Sequence, residues 1–246
     1  MHRLWLCLLV FFLLASCAVP TAPPVSAPEV PTEAAQVSES LPEPVPVPEP
    51  EPEPVPPLEP LPSPEEFVRV QDWLPNIETD LRYASEDNFT GCVIYDFTDA
   101  WLRYGTVEKL AAVLDRLEPE GYTLLIWDAF RPIEAQFRLW EVCPNSTYIA
   151  NPNKGFSSHS RGNTVDLTLL SFDGGTVEMP SSFDDFSLLA DRDYSDVPQN
   201  AAEHARFLED VMSACGFQPY AGEWWHFSDE DSYPVEKDFS PPAENG

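Results

Sequence analysis

The spacing of apolar residues predicts three helices in the second part of the chain. The clearest is residues 106–117, whose apolar face is formed by Val107, Leu110, Ala111, Leu114 and Leu117. A second helix is expected at residues 133–142, because Pro132 is a favourable residue at a helix start. The third covers residues 200–215, where an amphipathic pattern ends at Gly216.

Other segments follow the pattern of strands. Residues 123–127 (TLLIW) form a short apolar run that is typical of a buried strand. Residues 164–170 alternate between polar and apolar side chains, which predicts a half-buried strand. Shorter strands or extended pieces are expected at residues 68–73, 81–84 and 222–228. Helices and strands are mixed without a strict βαβ order, so the predicted fold class is α+β.

Proline divides the chain into two parts. Residues 20–64 contain 17 of the 28 prolines, in runs such as PEPVPVPEPEPEPVPP. Proline lacks the backbone N–H that helices and sheets require, so this tract favours polyproline II or disorder. We therefore expect residues 17–64 to be a tether and residues 65–246 to be one folded domain, which is long enough to bury a single core.

The N-terminus is typical of an exported lipoprotein. Arg3 precedes an apolar run at residues 4–15, which is too short to span a membrane but suits a signal peptide. The run ends in LASC, which resembles a bacterial lipobox. Residues 1–16 are thus expected to be cleaved and Cys17 to be lipidated, which predicts a membrane-anchored protein outside the cytoplasm, on the cell surface or in the periplasm. An ordinary signal peptide with a chance cysteine is the alternative.

The charge excludes one class of partner. The chain has a formal net charge of -29, and residues 65–246 alone carry 34 acidic and 12 basic side chains. Such a surface repels phosphate backbones, so no nucleic-acid partner is expected. Three cysteines remain in the predicted domain, and buried thiols are favoured over one disulfide whose pairing is open: Cys92, Cys143 and Cys215.

Two of the four histidines stand near acidic residues and suggest a metal site. His159, Asp166 and His226 would supply three ligands and leave a fourth position open, as in catalytic zinc sites. Asp166 is the odd acidic residue in an otherwise apolar strand, and a buried carboxylate requires a cation or strong hydrogen bonds. The alternative is an aspartate held by backbone N–H groups and a histidine in a loop. His204 is expected to face solvent on its helix.

Two further residues could complete a catalytic site. Glu223 could serve as general base, but on a regular strand it would point away from His226, so a turn or bulge is required between them. Trp224 and Trp225 could form an apolar wall. Arg131 follows a predicted strand and could hold an oxyanion. A structural salt bridge between Arg131 and Asp128 is the competing interpretation.

Four segments together resemble a known family. SSHSRGNTVDLTL, GEWWHF, WDAFRP and LRYASEDNFTG are similar to segments of the D-alanyl-D-alanine dipeptidases of vancomycin-resistance type, and the likeness extends from about Leu81 to Phe239. That family belongs to the zinc D,D-peptidases, which share a fold with the hedgehog signalling domain. The resemblance implies a small central, mainly antiparallel sheet flanked by helices.

The resemblance also implies roles for individual residues. It assigns one Zn²⁺ per chain to His159, Asp166 and His226, the catalytic base to Glu223, and oxyanion stabilisation to Arg131. Residues matching those that bind substrate are Ser157 for the carboxylate end and Tyr83 and Asp184 for the ammonium end.

The implied activity is hydrolysis of D-alanyl-D-alanine or a close D,D-dipeptide, here outside the cytoplasm. One alternative is a D,D-carboxypeptidase that trims terminal D-Ala from peptidoglycan stem peptides, especially if a shortened segment before Ser157 opens the rim of the pocket. A non-catalytic wall-binding lipoprotein is the alternative from another class. The oligomeric state is not predicted.

Overall fold

A computed structural model describes residues 60–146 and 148–243. The predicted signal peptide, Cys17 and most of the predicted tether lie outside these residues. Among the described residues, none of the helices has both the length and the apolar character needed to cross a membrane.

The centre of the fold is a five-stranded sheet in the order β2-β4-β5-β7-β6. Only the β2–β4 pair is parallel, which confirms the mainly antiparallel α+β architecture. A separate two-stranded sheet pairs β1 with β3. The strands are β1 (Phe67–Arg69), β2 (Glu78–Thr79), β3 (Trp101–Arg103), β4 (Tyr122–Asp128), β5 (Thr164–Ser171), β6 (Phe217–Pro219) and β7 (His226–Asp229).

Three longer helices confirm the periodic segments of the sequence. They are α2 (Tyr104–Leu117), α3 (Ile133–Val142) and α4 (Gln199–Ala214), and a single helical turn forms α1 (Val70–Trp73). Helices α2 and α4 contact each other and the central sheet, and the core lies between them and the sheet. Ala111 is only half-buried, whereas Val113, which was not assigned to the apolar face, is buried.

Strand β5 is buried on both sides, whereas its alternation predicted a half-buried strand. Val165, Leu167 and Leu169 lie in the apolar core, as expected. The opposite side of the strand is also buried, because Asp166 is covered by the two imidazoles described below and Thr164 lies against Ser228 of β7. Thr164 and Asp166 therefore face the interior and not solvent.

The shortest predicted strands are partly wrong. Residues 68–73 contain β1, but at Val70 the chain turns into α1. Residues 82–84 form a 3₁₀ turn and not a strand, and the N–H of Ala84 donates to the carbonyl of Leu81. In 222–228 only His226 onward is strand. Strands of two or three residues, such as β2, β3 and β6, are too short to leave a periodic pattern.

Candidate metal centre

The pairing of β5 with β7 brings two of the predicted metal ligands together. Asp166 and His226 lie directly opposite each other in the antiparallel register. His159 comes from a 3₁₀ turn, Ser158–Arg161, that precedes β5. Their candidate ligand atoms all lie within 4.8 Å of one another. The three ligands that were predicted from the sequence therefore converge on one point.

The distances between these side chains suit a tetrahedral metal ion. Nε2 of His159 lies 3.3 Å from Oδ2 of Asp166, and Nδ1 of His226 lies 3.0 Å from Oδ1. Two ligands at zinc bond lengths of about 2.0–2.2 Å and tetrahedral angles are about 3.3 Å apart. Oδ1 of Asp166 is also buried without a hydrogen-bond partner among the described residues. A cation at this point would satisfy that oxygen, so the donor set fits zinc.

The turn that carries His159 is held from several sides. Nδ1 of His159 donates to the carbonyl of Ala129 at 2.8 Å, which leaves Nε2 to face Asp166. Ser157 Oγ accepts a hydrogen bond from the backbone N–H of His159. Gly162 ends the turn at φ +75°, where a Cβ atom would lie 2.4 Å from the ring of Phe67. Only glycine fits this position without strain.

Buried charge makes the centre attractive to a cation. Burial raises the pKa of Asp166, but the imidazoles of His159 and His226 outweigh this effect and hold that pKa below its usual value. Burial lowers the pKa of His159, yet the carboxylates of Asp166 and Asp128 outweigh it and raise the pKa overall. Asp166 is thus ionised at neutral pH and favours a positive neighbour, whether a protonated imidazole or a divalent cation.

Glu223 reaches the same point because it lies in a turn before β7. Its backbone N–H donates to Tyr220, and its carbonyl accepts from the N–H of His226. Oε2 of Glu223 lies 3.5 Å from Nδ1 of His226, so the turn that the sequence required is present. Burial raises the pKa of the Glu223 carboxyl, and the negative charge of Asp166 raises it further. Such a carboxylate is suited to take a proton from water and release it to an amine.

Arg131 is held by Asp128 and also lines the cavity, so the two interpretations of this arginine are compatible. Its Nε donates to Oδ2 of Asp128 at 3.1 Å, and Nη2 donates to the same oxygen. Burial lowers the pKa of Arg131, but Asp128 more than offsets it and the pKa is raised well above its usual value. The guanidinium is therefore a permanent positive charge at the wall of the site.

Asp128 is a site residue that sequence reasoning considered only as a partner of Arg131. It is fully buried, and its Oδ1 accepts from the Tyr95 hydroxyl at 2.6 Å and from the N–H of Ala129 at 2.9 Å. Its Oδ2 lies 3.7 Å from Nδ1 of His159. One carboxylate therefore links the arginine to the metal-facing histidine. The sequence signal that could have identified Asp128 as a site residue is its position directly after the apolar strand predicted at residues 123–127.

A cavity of about 390 Å³ gathers the predicted residues. Its lining includes Tyr83, whose hydroxyl donates to Oδ2 of Asp184 at 2.8 Å. Burial raises the pKa of Asp184 to about 7. All eight predicted site residues of the described chain line this cavity: Tyr83, Arg131, Ser157, His159, Asp166, Asp184, Glu223 and His226.

Several other predicted features differ from the structure. Trp225 lines the cavity, but Trp224 is buried outside it and donates from Nε1 to Ser181. His204 is half-buried, because its Nδ1 lies 2.9 Å from the carbonyl of Glu178 and its ring contacts Tyr122. The three cysteines of the domain are free thiols, and Cys92 is exposed, which corrects the prediction that it is buried.

Comparison with known proteins gives a consistent result. A family model described as D-Ala-D-Ala dipeptidase matches residues 63–242. A D-alanyl-D-alanine dipeptidase of Escherichia coli (strain K12) is 34% identical over 172 residues, which are 69% of this chain and 89% of the relative. Another, from Streptomyces coelicolor, is 35% identical and covers 66% of this chain and 91% of its own length. A structure of VanYB in complex with D-Alanine-D-Alanine is 16% identical over 54% of this chain and 73% of its own, with a TM-score of 0.36.

Zinc binding tests the three ligands directly. We expect the purified chain to retain one zinc ion after dialysis, and we expect His226→Ala to weaken zinc binding on the order of 100-fold or more, because one of three protein ligands is lost. Metal content by mass spectrometry and affinity by competition with a chelating dye would measure this. His204→Ala is the matched control and should bind zinc like the native chain. Equal affinity in both variants would contradict the site.

Proposed function

This chain belongs to the D-Ala-D-Ala dipeptidase family and is a hydrolase, and on that premise we propose that it is a zinc-dependent enzyme that splits D-alanyl-D-alanine, or a close D,D-dipeptide, into free D-amino acids. The observation that carries the proposal is a single cavity with three parts. It joins the histidine–aspartate–histidine cluster, an acid beside that cluster, and a second, half-buried acid that Tyr83 holds by a hydrogen bond.

The metal and the acid beside it account for the hydrolytic step. When bound by His159, Asp166 and His226, zinc would polarise the scissile carbonyl and acidify the attacking water. Glu223 lies next to that position and would take the proton from the water as the C–O bond forms. The same carboxyl group would then give the proton to the leaving amine as the C–N bond breaks. The hydroxyl group of the water thereby joins the carbonyl carbon, and its proton ends on the leaving amine.

Arg131 would stabilise the negative charge that develops on the carbonyl oxygen. Its guanidinium is fixed by Asp128, so no reorganisation is needed when the charge forms. Burial strengthens this interaction, because the exposed fraction of the arginine side chain is only 12%. The salt bridge with Asp128 therefore positions the arginine and does not remove it from catalysis.

The two ends of the cavity would select a short substrate. Ser157 lies at the cavity wall beside the turn of His159 and is suited to the carboxylate end of a dipeptide. At the other end, Tyr83 holds Asp184, whose carboxylate would receive the free ammonium group. An N-acylated peptide has no such charge and would leave the half-buried Asp184 without a cation. This favours a dipeptidase over a D,D-carboxypeptidase.

The N-terminal sequence supports a place of action outside the cytoplasm. We propose that residues 1–16 direct export, that Cys17 carries a lipid, and that the proline-rich segment separates the enzyme from the membrane. The substrate pool would then be D,D-dipeptides released outside the cell membrane. Incorporation of a labelled fatty acid into the native chain and its loss in Cys17→Ala would support this location, and equal labelling of both would contradict it.

The catalytic base can be tested by an isosteric change. Glu223→Gln keeps the size of the side chain but cannot accept the proton, so we expect kcat for D-Ala-D-Ala to fall by about 10²–10⁴-fold with zinc still bound. D-Ala release, measured with a coupled D-amino-acid oxidase assay, gives the rate. Glu230→Gln changes an exposed glutamate near the end of β7 and should retain activity. A fully active Glu223→Gln enzyme would contradict the role of Glu223 as catalytic base.

The ammonium site predicts a pH dependence of binding. Because the pKa of Asp184 lies at about 7, the carboxyl is mostly neutral at pH 6 and mostly ionised at pH 8. Only the ionised form pairs with an ammonium group, so Kd for D-Ala-D-Ala should rise by about tenfold between pH 8 and pH 6. Calorimetry on the Glu223→Gln protein would measure this without turnover. Asp184→Asn in the same background should bind weakly and lose this dependence; an unchanged dependence would refute the assignment.

A further inference from the structure

A row of four aromatic side chains runs outward from the ammonium end of the cavity. We propose that its outer pair, Tyr148 and Phe186, closes this end and excludes peptides that extend beyond the amino group of the dipeptide. The proposal rests on the function proposed above and names what limits its substrate length.

The rings contact one another in sequence. Tyr83, which holds Asp184, lies edge-on to Phe89 with ring centroids 6.4 Å apart. Phe89 lies edge-on to Phe186 at 5.1 Å, and Phe186 stacks on Tyr148 at 4.2 Å. Three separate chain segments contribute to this row. The last contact joins the segment before Ser157 to the segment that carries Asp184, and both segments contribute residues to the cavity lining.

Each outer ring is carried by an anchored loop. Next to Tyr148, Ile149 is buried in the core, and buried Gln136 of α3 donates from its side-chain amide to the carbonyl of Ala150 at 2.8 Å. Phe186 lies two residues after Asp184, which has a φ of 55°. Tyr83 holds Asp184 by a hydrogen bond, and the backbone N–H of Ser187 donates to Oδ1 of Asp185 at 2.8 Å. Phe186 is thus held by contacts on both sides.

The location of the row suits the exclusion of longer substrates. Tyr148 lines the cavity together with Asp184. An acyl group on a longer peptide would extend from the nitrogen that Asp184 receives, and the row begins at the residue that holds Asp184. The two outer side chains are 43% and 41% exposed, so core packing does not account for their size. The segment before Ser157 therefore carries Tyr148 as a residue that closes the cavity, although the shortness of this segment in the sequence suggested an open cavity rim.

The test compares a free and an acylated dipeptide. For the native chain, Tyr148→Ala and Phe186→Ala, kcat/KM is measured for D-Ala-D-Ala and for N-acetyl-D-Ala-D-Ala. We expect the preference for the free dipeptide to fall at least tenfold in both alanine variants, with an absolute gain on the acetylated substrate. Simple damage to the site would lower both values. Tyr148→Phe should keep the native preference because it keeps the ring.

A matched control lies in the same loop. Leu188 is 75% exposed and is not part of the row, so Leu188→Ala should leave both rates unchanged. If the alanine variants exclude the acetylated dipeptide as strongly as the native chain, the proposed closure is refuted. The same holds if Leu188→Ala relaxes the preference equally, because the effect would then belong to the loop in general.

Binding separates this proposal from the proposed function. Calorimetry with both dipeptides on the Glu223→Gln protein, with and without Tyr148→Ala, gives the ratio of their affinities without turnover. If Tyr148→Ala shifts the affinity ratio at least tenfold toward the acetylated ligand, closure is supported. This holds even if the native chain hydrolyses neither dipeptide, because that result would overturn only the proposed function. Native hydrolysis of D-Ala-D-Ala with an unshifted ratio overturns only the closure.

Discussion

Two buried carboxylates, Asp128 and Asp166, impose the constraint around which the site is organised. Ionised groups are costly to bury unless they are paired, so each must be balanced by positive charge or hydrogen bonds. Asp128 meets this need through Arg131, Tyr95 and a backbone N–H group. Asp166 faces two imidazoles and retains an oxygen without a hydrogen bond. The first carboxylate is neutralised within the protein, and the second favours a cation from outside.

Strand β4 links this electrostatic arrangement to the fold. The pairing of β4 with β5 shifts register between Ile126 and Asp128, so that Asp128 comes to lie opposite Asp166. The chain then continues through Ala129, whose carbonyl accepts from His159, to Arg131. A local irregularity in the sheet therefore sets the separation of the two carboxylates and the position of the residues that surround them. Bulges often occur beside active sites for this reason.

Long periodic segments and the three side chains of the candidate metal centre could be predicted from the sequence, because each leaves a local signal. The stripe on α2 and the isolated acid in β5 are examples. The turn before β7 could only be stated as a requirement, since the aromatic run at residues 222–228 predicted a strand over its whole length. The role of Asp128 depends on a register shift, and the aromatic row joins residues 83, 89, 148 and 186. Such contacts between distant segments leave no pattern in a single sequence.

The three side chains of the candidate metal centre also differ in when they become available to the growing chain. His159 and Asp166 are made close together, but His226 follows about sixty residues later and enters the sheet through β7. The turn of His159 is buttressed later still, since Ser160 accepts a backbone hydrogen bond from Glu236 and Phe239 stacks on Phe67. A chain that ends before His226 lacks one of the three side chains. Synthesis order thus delays any hydrolytic competence at least until β7 has been made.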